Sequence, residues 1–170
     1  MVRKNIVVIR VVTLEDQTLL RMHGDRIEAN YPALRTDSYC IGEQPRGVCD
    51  LKTKNLAVPK IIALAKKHQD ADAIVISCCD DPAVEELREM LSVPVIGAGP
   101  AVSAVARSLG NREGIIGITE YVPETYRRIL GDDLIDLGRP EGVTCTLDMM
   151  IGAGRASVLR KARDWNAQGA

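Results

Sequence analysis

The residues best suited to chemistry are two adjacent thiols. The run Ile74-Val75-Ile76-Ser77-Cys78-Cys79-Asp80-Asp81-Pro82 carries an apolar strand straight into Cys78 and Cys79, just ahead of a helix start. Asp81 suits the N-cap, and Pro82 suits the first helical position, where its missing N–H is not needed. A cysteine at a helix N-terminus feels the positive end of the dipole, which favours the thiolate and makes a better base or nucleophile. The structural alternative is two buried thiols finishing a strand, because free cysteine is among the most buried residue types.

The other cysteines are Cys40, Cys49 and Cys145. An odd count with two adjacent members argues against a secreted disulfide framework. With His23 and His68 the only histidines and no Cys-x-x-Cys spacing, a zinc site is not expected. The chain has 170 residues, a formal charge of -1 and 46% hydrophobic residues, enough for a core in one unit or two small lobes. That charge gives no footprint for nucleic acid. Trp165 and four tyrosines are the only aromatics, which argues against a base-stacking surface. No apolar run approaches the roughly 20 residues of a membrane span, and no signal-peptide pattern is read at the start. The expected setting is cytoplasmic and the expected partner a small molecule, with no nucleic acid and no membrane.

Short apolar runs alternate with helical patterns. Strands are predicted at 5–12, 34–41, 73–77, 93–97, 114–118 and 134–137. Helices are predicted from a start at Thr13-Leu14-Glu15-Asp16, then at 55–68, 83–91, 100–109 and 124–130. A last helix over 147–167 has a possible break at Gly152-Ala153-Gly154. Residues 42–50 read as a loop. This alternation implies an α/β fold of parallel βαβ units with helices on both faces. Ligands in such sheets bind at the carboxyl ends of strands, where Cys78, Gly97 and Thr119 fall.

A faint repeat links two segments. Ile61–Cys78 runs helix, Gln69-Asp70-Ala71-Asp72-Ala73, strand, thiols; Val158–Ala170 runs helix, then Gln168-Gly169-Ala170. By analogy a buried strand ending in a polar or thiol site would come next, and the chain reads as a C-terminally shortened form of a longer protein. The alternative is a terminal helix that simply covers the sheet.

These residues together resemble the Asp/Glu/hydantoin racemase superfamily, closest to its hydantoin racemase branch. The resemblance rests on Ile74–Cys78 followed by Asp81-Pro82, on Val93-Pro94-Val95-Ile96-Gly97-Ala98-Gly99, and on Ile115-Ile116-Gly117-Ile118-Thr119. It implies two pseudo-symmetric α/β lobes with parallel sheets flanked by helices and a cleft between them. The first lobe would span 1–97 and carry Cys78; the second would span 98–170 and be incomplete. It also implies a homo-oligomer and no metal or organic cofactor. Each lobe of such a protein offers one cysteine, one removing a proton from a carbon acid and the other returning it on the opposite face. Inverting a stereocentre requires that pair of acid–base groups, and the enolate between the two steps requires pre-organised donors.

Cys78 matches the first catalytic cysteine, three positions before Asp81-Pro82. Substrate contacts are expected from Arg10, Thr13, Cys79, Asp80, Gly99, Pro100 and Thr119. Several have plainer roles open to them: Cys79 as core or support, Thr119 as a cap, Gly99 and Pro100 as a helix start, Arg10 as a surface ion pair. Arg10-Val11-Val12-Thr13 stands where the branch carries an Asn-Pro-Asn-Thr-like turn, a departure from the family's pattern at the end of the first strand. The second cysteine sits in a Gly-Cys-Thr-like turn in the family. Cys145, in Val143-Thr144-Cys145-Thr146-Leu147, has no such setting.

The expected function is a cofactor-independent racemase or epimerase of a 5-substituted hydantoin. Asp81-Pro82 favours it over an aspartate or glutamate racemase, in which Asn-Thr tends to follow the first cysteine. The alternatives are a single-cysteine decarboxylase of the same superfamily, the aspartate or glutamate racemase itself, an inactive small-molecule-binding paralogue, and a thiol redox sensor using Cys78 and Cys79.

Overall fold

A computed structural model describes residues 2–110, 112–149 and 152–167. The chain opens with strand β1 (Lys4–Arg10), helix α1 (Gln17–Asn30), β2 (Leu34–Cys40) and α2 (Leu51–Ala65), whose end tightens into a 3₁₀ turn. It continues with β3 (Ala73–Ser77), α3 (Val84–Met90), β4 (Val95–Gly97) and α4 (Ala98–Leu109). Then come β5 (Glu113–Ile116), α5 (Glu124–Leu130), β6 (Leu134–Gly138) and α6 (Gly152–Ala167). Of the expected last helix, 147–149 form a 3₁₀ turn; residues 150, 151 and 168–170, the last closing the repeat, lie outside the described residues.

Four strands form a parallel sheet in the order β2-β1-β3-β4, and β5 and β6 pair in a second parallel sheet. Val7, Ile9, Ile74 and Ile76 are buried with Ile61, Val84 and Leu87 from the covering helices. A second cluster, Val122, Tyr126 and Leu130, supports the β5–β6 sheet. β2 departs from the expected apolar pattern, since Leu-Arg-Thr-Asp-Ser-Tyr-Cys is only partly buried at the sheet edge.

Helix starts follow their caps. Asp16 accepts from the N–H groups of Thr18 and Leu19 to open α1. Asp50 and Thr53 form a reciprocal capping box, so α2 begins at Leu51, earlier than the expected Asn55. From β1 the chain crosses one way to β2 and the other way to β3. The gap between β1 and β3 is therefore the topological switch point, where a crevice opens at the carboxyl ends. Register pairs Arg10 with Ser77 across that gap and with Cys40 on the other side.

Close packing of α1 on β2 fixes one wall of this region. A Cβ on Gly24 would stand 2.6 Å from Thr36 Oγ1 and 2.7 Å from Ser38 Oγ. Gly24→Ala gains helix propensity but overpacks this contact, and a net loss of about 1–2 kcal/mol is expected from urea unfolding. An unchanged midpoint would show that α1 can stand off from β2 at no cost.

Candidate functional site

A cleft of about 450 Å³ opens at the switch point. Arg10, Val11 and Val12 line one side with His23 and Val48; Ser77, Cys78, Cys79 and Asp80 form the floor. The far wall comes from Gly114–Thr119, which covers most of β5 and the turn after it, and from Tyr126, Thr146 and Met149.

Cys78 follows β3 directly, and the Asp81 N–H donates to its carbonyl at 3.0 Å, closing a turn. The expected helix cap is not what the turn builds. Asp81 has φ 47° and Ala83 φ 66°, two left-handed non-glycine residues on either side of Pro82, and α3 begins only at Val84 with no side-chain cap. Such conformations cost of order 1–3 kcal/mol each and cluster where a structure holds a functional group in place. Asp81 serves instead as a strut, accepting the Gly99 N–H at 3.1 Å; its Oδ2 has no partner among the described residues. Burial raises its carboxyl to about 6, against the pull of that N–H.

The thiol also departs from expectation. Desolvation pushes Cys78 up to about 12; the Asp80 N–H opposes this, and Cys79, Asp80 and Asp81 add to the rise. Desolvation outweighs any helix dipole here because α3 starts six residues further on and is only seven residues long. With the thiol raised this far, Cys78 at neutral pH is a proton donor, and acting as a base requires a positive charge or hydrogen-bond donors to stabilise its thiolate. Cys79 is exposed rather than core, and its thiol is also raised, first by desolvation and then by the charges of Asp81 and Asp80. Tyr126 is buried behind it and pushed well up, first by desolvation and then by the thiol.

Of the expected contacts, Arg10, Cys79, Asp80 and Thr119 line the cleft with Cys78. Arg10 is no surface ion pair: it is 2% exposed. Asp80 is buried and held by Lys54 Nζ at 2.9 Å and the Tyr121 hydroxyl at 2.7 Å, so its carboxylate is occupied. Thr119 donates to the Tyr121 carbonyl at 2.5 Å, a turn role at the cleft wall. Thr13, Gly99 and Pro100 are not in the wall. The Thr13 hydroxyl donates to the Ile41 carbonyl and accepts the Gln44 N–H, pinning the 42–50 loop. Cys145 is outside the wall too; its N–H is tied to Asp148 Oδ2 at 3.0 Å.

The sequence reading missed His23, Ser77, Tyr126 and Thr146. His23 Nδ1 lies 2.5 Å from Ser77 Oγ. Desolvation, then the positive charges of Arg10 and Arg26, lower the imidazole to about 4, so it is neutral at physiological pH. The unfolded chain takes up that proton near 6.5 and the folded chain only near 4, so stability falls as pH drops between them. Relative to His23→Gln, native unfolding free energy is expected to decline by about 2–3 kcal/mol from pH 7 to pH 4. A constant difference across that range would place His23 in contact with water.

Among the described residues, no group of His, Cys, Asp or Glu is arranged to hold a metal ion, and no helix is long and apolar enough to cross a membrane.

The sequence model of the Asp/Glu/hydantoin racemase family matches residues 27–163. A hydantoin racemase from Pseudomonas sp. (strain NS671) is 24% identical over 133 residues, which are 75% of this chain and 51% of that protein. The chain thus spans about half the length of this curated relative. Allantoin racemase from Klebsiella pneumoniae superposes with a TM-score of 0.77 at 20% identity, over 97% of this chain and 68% of that one. Allantoin racemase from Pseudomonas fluorescens gives 0.73 at 16% identity, over 92% and 67%. Glutamate racemase from Aquifex pyrophilus gives 0.54 at 20%, over 91% and 63%. At these identities the likeness to solved structures is one of fold, and it bears out the expected α/β class of parallel sheets flanked by helices.

Proposed function

The chain belongs to the Asp/Glu/hydantoin racemase family, and from that premise we propose that its cleft removes and returns the proton of a carbon acid, with Cys78 as the acid–base group. The substrate class is a 5-substituted hydantoin or a close ring relative, as in the hydantoin and allantoin racemases it resembles. One observation carries the proposal: Cys78 sits at the end of β3, on the floor of a cleft of about 450 Å³ at the switch point of the sheet. A cleft of this volume suits a small ring.

The Cys78 thiolate would take the C5 proton and become a thiol, while the C5–H electron pair passes into the adjacent ring carbonyl as an enolate. Reprotonation from the same sulfur restores the configuration; reprotonation from the opposite face inverts it. In the family the opposite face belongs to a second cysteine. Among the described wall residues that face carries Thr119, Tyr126 and Thr146, and Cys145 is held elsewhere by Asp148. The two-lobe division at residues 97 and 98 and a homo-oligomeric assembly belong to the same proposal.

A second reading has its own support. A neutral Cys78 thiol, pushed up to about 12, suits protonation of an enolate from one face, the step a single-cysteine decarboxylase needs after carbon dioxide leaves.

The test is to incubate the chain with an enantiopure 5-substituted hydantoin in heavy water and follow C5 deuterium and optical rotation together. Deuterium gain with loss of rotation, both dependent on Cys78, supports two-face proton transfer. Gain with rotation retained supports one-face chemistry, and carbon dioxide release from an arylmalonate would then identify the decarboxylase. No exchange above a Cys78→Ala control sinks carbon-acid catalysis on this substrate.

A further inference from the structure

Arg10 is a cation in an unusual position. It is the last residue of β1, among the largest fully buried side chains, and part of the cleft wall. No ion pair among the described residues includes it. Its strand neighbours are Cys40 and Ser77, and the titratable groups that feel its charge include Cys40 and His23, the latter held neutral. Buried charges are ordinarily paired, because an uncompensated one keeps its desolvation penalty. Arg10 bears that penalty: burial lowers its pKa, with only Cys40 opposing.

Its hydrogen bonds show which part of the fork is free. Nη1 donates to the Leu19 carbonyl at 2.6 Å and to the Leu20 carbonyl at 3.3 Å, in the first turn of α1. Nε and Nη2 have no protein acceptor among the described residues. Those two nitrogens present the parallel pair of N–H groups that matches the two oxygens of a carboxylate. Helix α1 thus fixes one corner of the guanidinium and leaves its bidentate edge unmatched. The Arg10–Ser77 register sets Arg10 on the strand neighbouring the residue before Cys78, at an inter-strand spacing of about 4.8 Å. An anion on Arg10 and a reacting carbon at Cys78 therefore fit within one small molecule.

We propose that Arg10 is the receptor for a carboxylate on the substrate, so that the cleft takes an anionic carbon acid: a hydantoin-like ring whose 5-substituent ends in a carboxylate. This rests on the carbon-acid reading of the cleft and narrows its substrate class. A developing enolate oxygen is a poorer match for the free edge, because a single oxygen engages one N–H direction well and a carboxylate engages two.

The test compares two ligands that differ in charge and little in shape, hydantoin-5-acetic acid and hydantoin-5-acetamide, by titration calorimetry on the native chain. The acid is expected to bind about 10–100-fold more tightly than the amide, the worth of hydrogen bonds to a charged group. In Arg10→Gln the preference is expected to fall below about 3-fold, and in Arg10→Lys to be intermediate, since the charge stays and the fork is lost. Equal binding of acid and amide to the native chain overturns the proposal, as does failure to bind either. A preference that survives in natively folded Arg10→Gln overturns it too. The carbon-acid reading fails separately. Cys78-dependent exchange of a neutral hydantoin, with no preference for the acid, keeps that reading and sinks the carboxylate receptor. Arg10-dependent binding of the acid without Cys78-dependent exchange does the reverse.

Discussion

Cys78→Ala is expected to lower the rate of C5 deuterium exchange by about 10²–10⁴-fold, the usual contribution of a positioned acid–base group. The loss should appear in kcat far more than in ligand affinity, because alanine leaves the shape of the cleft floor nearly intact. The pH profile of the native chain supplies an independent check. Desolvation holds the thiol near 12, so the thiolate is a small fraction at neutral pH. If Cys78 is the base, kcat/KM for exchange should rise about tenfold per pH unit from pH 7 to pH 10, with no plateau at the 9.0 of an ordinary thiol. A protonating role gives the opposite sign, with activity flat over that range and falling only as the thiol ionises. Exchange in Cys78→Ala within threefold of native would remove this residue from the chemistry whatever the profile.

The reach and limits of the sequence are visible around that cysteine. The strand 73–77 and the helix 124–130 were legible because each is a short apolar run or amphipathic turn bounded by clear breakers, and both form as expected. Cys78 could be placed at a strand end because strand, thiol and breaker lie in one local run, and the structure sets it on the cleft floor. Its protonation could not be read correctly from that run. The inferred cap made a thiolate of it, but Asp81 turns away to brace Gly99, and the surroundings that desolvate the thiol come from the tertiary fold. Arg10 was identified as a candidate, yet its burial depends on α1 folding back over β1 to offer Leu19 and Leu20 carbonyls. His23 lies 54 residues from the serine it touches, and Tyr126 is contributed by the other sheet's helix. No spacing rule connects such residues, because the switch point that gathers them is a property of strand order.

Lys54→Met, outside the cleft wall, is expected to cost about 3 kcal/mol in urea unfolding. Asp80 is 3% exposed at its side chain; Lys54 Nζ approaches its carboxylate at 2.9 Å and its carbonyl at 3.3 Å, and the Tyr121 hydroxyl donates to the other carboxylate oxygen at 2.7 Å. Removing the ammonium strands a desolvated carboxylate with one neutral donor, the situation that makes breaking a buried pair costly. Lys54 itself is 27% exposed, so water can approach the gap, and this sets the expectation at the lower end of the range for buried pairs. Tyr121→Phe removes only a hydrogen bond and should cost nearer 1 kcal/mol. The decisive comparison adds Asp80→Asn to Lys54→Met. If stranded charge is the cause, the double variant recovers at least half of the loss; if lost packing of the lysine stem is the cause, it recovers none. The same pair bears on the reaction, because Asp80 bridges α2 to the segment after β5 and lies two residues after Cys78 in the same turn. Loosening that turn by a fraction of an ångström should lower exchange by about tenfold even at temperatures where Lys54→Met remains folded. Full activity in a destabilised but folded Lys54→Met would show that the ion pair holds the lobe together without holding the cysteine.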